Sequence, residues 1–171
     1  MRNILYLFLC MSFTLITNAA YASDINDKNE IIKKINSWLT EHVVDEFVED
    51  KKVPQETFYS SAAINVDVMM VSQRLKYDYD RPVYVEAYDN IKWSDMKKNN
   101  NGKYLTINNE NVNGFLFFKK PNIKLIKVNT YKSPRPTREV TDTIEFPLTK
   151  KVSKSEINKL ELLLSQLANS K

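Results

Sequence analysis

The chain has 171 residues, a formal net charge of +4 and 43% hydrophobic residues, with one cysteine, one histidine and two glycines. This composition excludes a disulfide within the chain, cannot supply the usual cysteine and histidine ligands of zinc, and leaves no glycine-rich phosphate-binding loop. We therefore expect no metal and no cofactor. The length suits one domain with a substantial core.

Residues 1–22 have the pattern of a secretory signal peptide. Arg2 precedes an apolar run from Ile4 to Ile16, and a small-residue cleavage site, Ala20-Tyr21-Ala22, follows. The apolar run is shorter than the roughly 20 residues that a membrane-spanning helix needs. We predict that residues 1–22 are a cleaved signal peptide, that residues 23–171 form a single globular α+β domain, and that the protein is periplasmic or secreted.

The cysteine lies inside the predicted signal peptide, so the mature chain would contain no thiol. A lipid anchor on Cys10 is not expected, because Leu9 is larger than the residue that normally precedes a lipid-modified cysteine. The sequence contains no N-x-[ST] glycosylation acceptor, which favours a bacterial over a eukaryotic exported protein.

Two amphipathic helices are predicted, one near each end of the mature chain. A capping box that opens at Asp27 and an apolar stripe predict a first helix over about 28–49, ended by Pro54. A second capping box at Ser153, followed by a leucine stripe, predicts a helix over 154–168. We predict an α+β fold in which these N-terminal and C-terminal amphipathic helices pack on an antiparallel sheet of about four to six strands.

Short alternating runs between turn residues predict the strands. Residues 57–76 fit a helix or a strand, and their β-branched residues favour a strand over 63–71. The run Asn99-Asn100-Asn101-Gly102 predicts an exposed turn, and Ser133 to Pro136 is predicted as an extended, polyproline-like connection. The other predicted strands are 83–88, 103–107, 112–118, 122–131 and 140–146.

A basic, partly aromatic segment is the predicted partner-binding site. Residues 115–138 contain several Lys and Arg but no acid, whereas residues 24–50 contain eight acids and three lysines. Aromatic residues beside lysines also suit single-stranded nucleic acid, but export argues against a nucleic-acid partner. We hypothesise that the segment meets an acidic protein surface, because complementary charge speeds and orients association. The predicted binding residues are Lys119, Lys124, Lys127, Tyr131, Lys132, Arg135 and Arg138.

We predict a non-enzymatic bacterial envelope protein that binds another protein, such as a secretion or pilus assembly adaptor, an inhibitor or an immunity protein. No catalytic residue is predicted, because a lone histidine on the apolar side of the first helix, His42, is interpreted as a packing residue. One alternative is an enzyme acting on peptidoglycan or another glycan through Glu86 with Asp89 or Asp95. Another is a carrier of lipid or apolar ligands, with a cavity lined by Met69, Met70, Phe115, Phe117 and Leu125.

Overall fold

A computed structural model shows an α+β fold and describes residues 27–43, 48–49, 57–75, 82–108, 112–129, 133–149 and 151–170. Helix α1 covers residues 27–42, helix α2 covers Lys154–Asn169, and a 3-10 helix covers Trp93–Asp95. The strands are β1 (Val48–Glu49), β2 (Thr57–Ile64), β3 (Met69–Leu75), β4 (Pro82–Asp89), β5 (Met96–Lys97), β6 (Leu105–Asn108), β7 (Asn113–Phe118), β8 (Ile123–Asn129), β9 (Ser133–Thr141) and β10 (Thr143–Pro147). The predicted α+β class, with a helix towards each end, is confirmed.

The strands form two antiparallel sheets. The large sheet has the order β1-β2-β3-β4-β8-β9, in which β1 contributes only two residues. In the small sheet, β7 pairs with β10 on one edge and with β5 and β6 on the other. The chain crosses between the sheets at Asp142, whose carbonyl accepts a hydrogen bond of 2.8 Å from the Phe118 amide.

The core lies where both helices meet both sheets. Its centre is closely packed, because the cavity that remains there has a volume of only about 10 Å³. A space of this size is at the lower limit for one water molecule, and its lining is apolar. The residues around it come from α1, β2, β3, the 3-10 helix, β7, β10 and α2, and they are Ile35, Leu39, Ile64, Met69, Trp93, Leu116, Phe146, Leu160 and Leu164.

Helix α1 is joined to the rest of the fold by directed hydrogen bonds. The Asn36 side chain bonds both the amide and the carbonyl of Ile64, at 2.7 and 2.9 Å. The Trp38 indole Nε1 donates to the carbonyl of Glu156 in α2 at 3.0 Å. His42 stacks on Trp38 with ring centroids 4.4 Å apart and bonds the Trp38 carbonyl through Nδ1, which agrees with its interpretation as a packing residue.

The predicted end of the first helix was wrong. Helix α1 stops at residue 42, and Val48–Glu49 pairs with β2 instead of continuing the helix. The His42 carbonyl accepts a hydrogen bond from the Thr149 amide at 2.8 Å, so the loop after β10 occupies the helix end. Two β-branched residues, Val43 and Val44, follow in the sequence and lower the propensity for further helical turns.

Helix α2 begins as predicted. The Ser153 hydroxyl accepts a hydrogen bond from the Glu156 amide at 3.2 Å and so caps the helix. One turn later, the Glu161 carboxylate accepts hydrogen bonds from the backbone amides of Tyr104 and Leu105, at 3.1 and 2.5 Å. Helix α2 therefore caps its own first turn and anchors the start of β6.

Two strand predictions need correction. Residues 63–71 are not one strand, because a turn at Asn65, whose amide bonds the Val68 carbonyl at 2.7 Å, divides them into the β2-β3 hairpin. Residues 140–146 divide at Asp142 between β9 and β10, and residues 133–136, predicted as a connection, belong to β9. Residues 133–136 are part of a strand because β9 pairs with its antiparallel neighbour β8. Four other predicted strands are confirmed as β4, β6, β7 and β8 within a few residues.

Candidate functional site

The two faces of the large sheet differ sharply in burial. Side chains alternate between the faces along each strand, and the antiparallel register aligns neighbouring strands. Seven of the described residues on the inner face are buried against the core, and they are Ala62, Ile64, Met69, Val71, Tyr88, Ile123 and Leu125. The outer face is formed by Ser61, Ala63, Met70, Ser72, Val85, Ala87, Asp89, Lys124, Ile126, Val128, Arg138 and Val140. None of these described outer-face residues is buried.

The outer face is apolar at its centre and basic towards β8 and β9. Met70 is 50% exposed and Val140 is 63% exposed, so the outer face presents large apolar side chains to solvent. Lys124 pairs in register with Val140, and Arg138 pairs with Ile126. These side chains place an apolar surface beside two cations, which is a combination that another protein surface can bind.

The structure divides the predicted basic site among several places. Lys124 and Arg138 lie on the outer face, whereas Lys127 lies on the inner face, because residues 124 and 127 differ in strand parity. Lys119 is exposed in the turn after β7, and Arg135 is exposed in β9. Tyr131 and Lys132 lie outside the described residues.

Lys127 is held by acids, unlike the other described members of the predicted set. Its Nζ lies 2.9 Å from Glu139 and 3.9 Å from Glu86. The hydrogen bond to Glu139 raises the pKa of Lys127 above its ordinary value, despite an opposing effect of burial. Side chains alternate along a strand, so Lys124 and Lys127 lie on opposite faces, although the prediction grouped them in one site. The alternation alone does not show which of them faces an acid.

A second candidate site is a cleft of about 320 Å³ between the inner face of the large sheet and the β7-β10 edge of the small sheet. We call it the inter-sheet cleft. It is lined by Val71, Tyr84, Glu86, Asn113, Glu145, Phe146 and Pro147. Sequence reasoning placed Glu86 among candidate acids but missed Glu145. No local pattern identifies Glu145, because the sheets bring the two glutamates together from strands distant in sequence.

Hydrogen bonds fix both cleft carboxylates. The Tyr88 hydroxyl donates to Glu86 Oε2 at 2.8 Å, and the Asn113 side-chain amide donates to Glu145 Oε1 at 2.6 Å. Tyr88 is only 2% exposed. Burial first, and then the neighbouring charge of Glu86, raises the pKa of Tyr88 well above its ordinary value of 10.0. Tyr88 therefore remains a neutral hydrogen-bond donor at physiological pH.

The structure does not bring together the residues of the two alternative functions. Glu86 and Asp89 lie on opposite faces of β4, and Asp95 belongs to the 3-10 helix. The predicted carrier lining is divided in the same way. Two of its residues are buried in the core, one is on the outer face, and two stack on the face of β7 that points away from the core, in the order Met69, Leu125, Met70, Phe115 and Phe117.

Further classes of site find no support in the described ranges. No group of three or more histidine, cysteine and acidic residues there could hold a metal ion. Neither described helix has the length and apolar character needed to cross a bilayer. Comparison with protein-family models, with curated proteins and with solved structures finds no match for this chain.

Proposed function

We propose that the protein is an accessory protein of the bacterial envelope that binds another protein through the outer face of its large sheet. The observation that carries this proposal is the open outer face, where apolar residues stand in regular strands and no described side chain is buried. Contiguous exposed apolar surface on a soluble domain commonly marks an interaction site. Export through a signal peptide at residues 1–22 is part of the same proposal.

The charges on the outer face define the chemistry of the partner. Lys124 and Arg138 are both exposed, and Asp89 is the one acid in the outer-face set. A partner with an apolar centre and an acidic rim would bury Met70 and Val140 and complement the two cations. Charges of this kind speed association and make its rate depend on salt, whereas the apolar centre supplies affinity.

Site-specific photo-crosslinking in the producing cells tests the proposal. A photoreactive phenylalanine analogue replaces Val140 on the outer face or, as the matched control, Leu162 on α2. The two side chains are almost equally exposed, at 63% and 62%, so the probes sample solvent equally. We expect a discrete adduct with one envelope protein from position 140 and none from position 162. Identical adducts at both positions, or none at position 140, would contradict the proposal.

Charge reversal separates specific binding from accidental crosslinking. We expect the double substitution Lys124→Glu and Arg138→Glu to remove the adduct from position 140, because it opposes an acidic rim. The matched control is Lys33→Glu with Lys34→Glu, which makes the same change in net charge on the exposed side of α1. Loss of the adduct in both variants would show a general charge effect and not a binding surface.

The proposed location has its own test. Cells that express the full chain are separated into cytoplasmic, periplasmic and medium fractions, and the amino terminus of the protein is read by mass spectrometry. We expect a chain that begins at Ser23 in the periplasm or the medium, since signal peptidase cleaves after A-x-A. An intact amino terminus in the cytoplasm would overturn the envelope part of the proposal.

A further inference from the structure

We propose that the inter-sheet cleft binds an organic cation, a primary ammonium or guanidinium group such as the one carried by a lysine or arginine side chain. The cleft lies on the opposite side of the large sheet from the outer face, and the two share none of the described residues. This site is therefore independent of the proposed protein-binding surface. A protein with an overall formal charge of +4 has here a recess of the opposite sign.

The charge of the cleft selects a cation. Glu86 and Glu145 are both part of its lining, and none of the lining residues that the structure describes is basic. The nearby Lys127 offsets only part of this charge, because its one ammonium is shared between Glu139 at 2.9 Å and Glu86 at 3.9 Å. The local sum of Glu86, Glu145, Glu139 and Lys127 is two negative charges. A recess with low-dielectric walls concentrates such a field.

Each carboxylate also has one oxygen that accepts no hydrogen bond from a described residue. Each of them is held through one oxygen, Glu86 by Tyr88 and Glu145 by Asn113. Among the described residues, no donor lies within hydrogen-bond distance of Oε1 of Glu86 or Oε2 of Glu145, although the exposed Lys127 ammonium lies 3.9 Å from Glu86 Oε1. An ammonium has three N–H donors and a guanidinium has five, so either has enough donors for more than one carboxylate oxygen.

The remaining walls suit the carbon part of such a ligand. Tyr84 is 37% exposed and offers an aromatic ring, which attracts a cation near its face. Val71, Phe146 and Pro147 supply apolar surface for methylene groups. The volume of about 320 Å³ is at the small end of ligand sites, which run from about 300 to 1,000 Å³, and fits one side chain better than a long polymer.

Nuclear magnetic resonance titration of the ¹⁵N-labelled protein tests the inference. The probes are N-acetyl-lysine methylamide, its uncharged counterpart N-acetyl-norleucine methylamide, and 1,5-diaminopentane. We expect the lysine probe to shift the amide signals of Tyr84, Glu145 and the Asn113 side chain saturably. We expect the norleucine probe to shift none of them. Equal shifts with diaminopentane would assign the site to free amines, and shifts with the lysine probe alone would assign it to peptides.

Variants with matched charge changes complete the test. We expect the double substitution Glu86→Gln and Glu145→Gln to weaken binding of the lysine probe by about tenfold or more. The reason is that each replaced carboxylate would bond the probe as a charged group. Glutamine keeps an acceptor for Tyr88 and for Asn113, so the fold should persist. Asp89→Asn, on the opposite face of β4, should leave the affinity unchanged. Equal binding of norleucine, an equal loss in Asp89→Asn, or no saturable shift with any cationic probe would overturn the inference.

Discussion

Met69 and Met70 are neighbours in β3 with opposite surroundings. Met69 is 1% exposed on the inner face of the large sheet, and Met70 is 50% exposed on the outer face. The same contrast recurs along β8, where Leu125 is buried and Lys124 is exposed. Both faces carry apolar residues, so composition does not decide which one is covered. The helices and the small sheet pack on one face, and none of the described residues of the other face is buried.

The largest expected effect on stability comes from substituting the two methionines separately. Met69→Ala should lower the free energy of unfolding by about 2–5 kcal/mol, because it removes core contacts and leaves a cavity. Met70→Ala should change it by less than about 0.5 kcal/mol, since the side chain is half exposed. Urea denaturation of both variants measures the difference. Equal losses would mean that the outer face is also covered in solution.

The small sheet allows a test of close core packing at a glycine. Gly114 lies on the inner face of β7, where an added Cβ would stand 2.7 Å from the Phe146 ring. Gly114→Ala should therefore cost about 1–3 kcal/mol through overpacking. Adding Phe146→Leu, which removes the ring, should recover part of that loss in a double-mutant cycle. Simple additivity of the two substitutions would contradict close contact at this point.

Tyr88 tests the polar part of the inner face. Tyr88→Phe should cost about 1 kcal/mol, because it removes the hydrogen bond to Glu86. The pKa of Tyr88 is raised in the folded protein, so its stabilising effect is present below the ordinary value of 10.0 and is lost as the pH rises beyond it. The stability difference between wild type and variant should thus shrink at alkaline pH. A difference that stays constant across this range, measured by urea denaturation, would exclude the linkage.

The smallest expected effect is on the outer face itself. The double substitution Lys124→Glu and Arg138→Glu should alter the free energy of unfolding by less than about 0.5 kcal/mol per site, because both side chains are exposed. The same variant is expected to lose its partner. Thermal denaturation beside the crosslinking assay checks both statements, and marked destabilisation would show that these residues hold the fold together.

Local signals in the sequence were sufficient for most of the elements. A capping serine and a leucine stripe predicted α2, and Gly102, with a φ of +74°, forms the predicted turn. The errors fell where tertiary contacts decide. Helix α1 ends at a residue whose carbonyl is bonded by Thr149, and β9 is a strand because β8 pairs with it.

Burial of a strand face was harder to predict than the strand. In β4 the alternation separated Val85 and Ala87 from Glu86 and Tyr88, but the aromatic and acidic face turned out to contain the buried residue, Tyr88. The face of β4 that carries Val85 and Ala87 is the partly exposed outer face. Glu145 lines the same cleft as Glu86 because of the way the two sheets pack. The alternation of side chains along a strand does not predict how two sheets pack.

The bond from the Trp38 indole to the Glu156 carbonyl joins residues that are 118 positions apart. Ile35 and Leu39 of α1 likewise share the core with Leu160 and Leu164 of α2. Helix α2 thus supplies a wall of the core against which helix α1 docks. The core therefore depends on contacts between two helices that are far apart in sequence, and such long-range contacts slow folding because a long loop must close before they form.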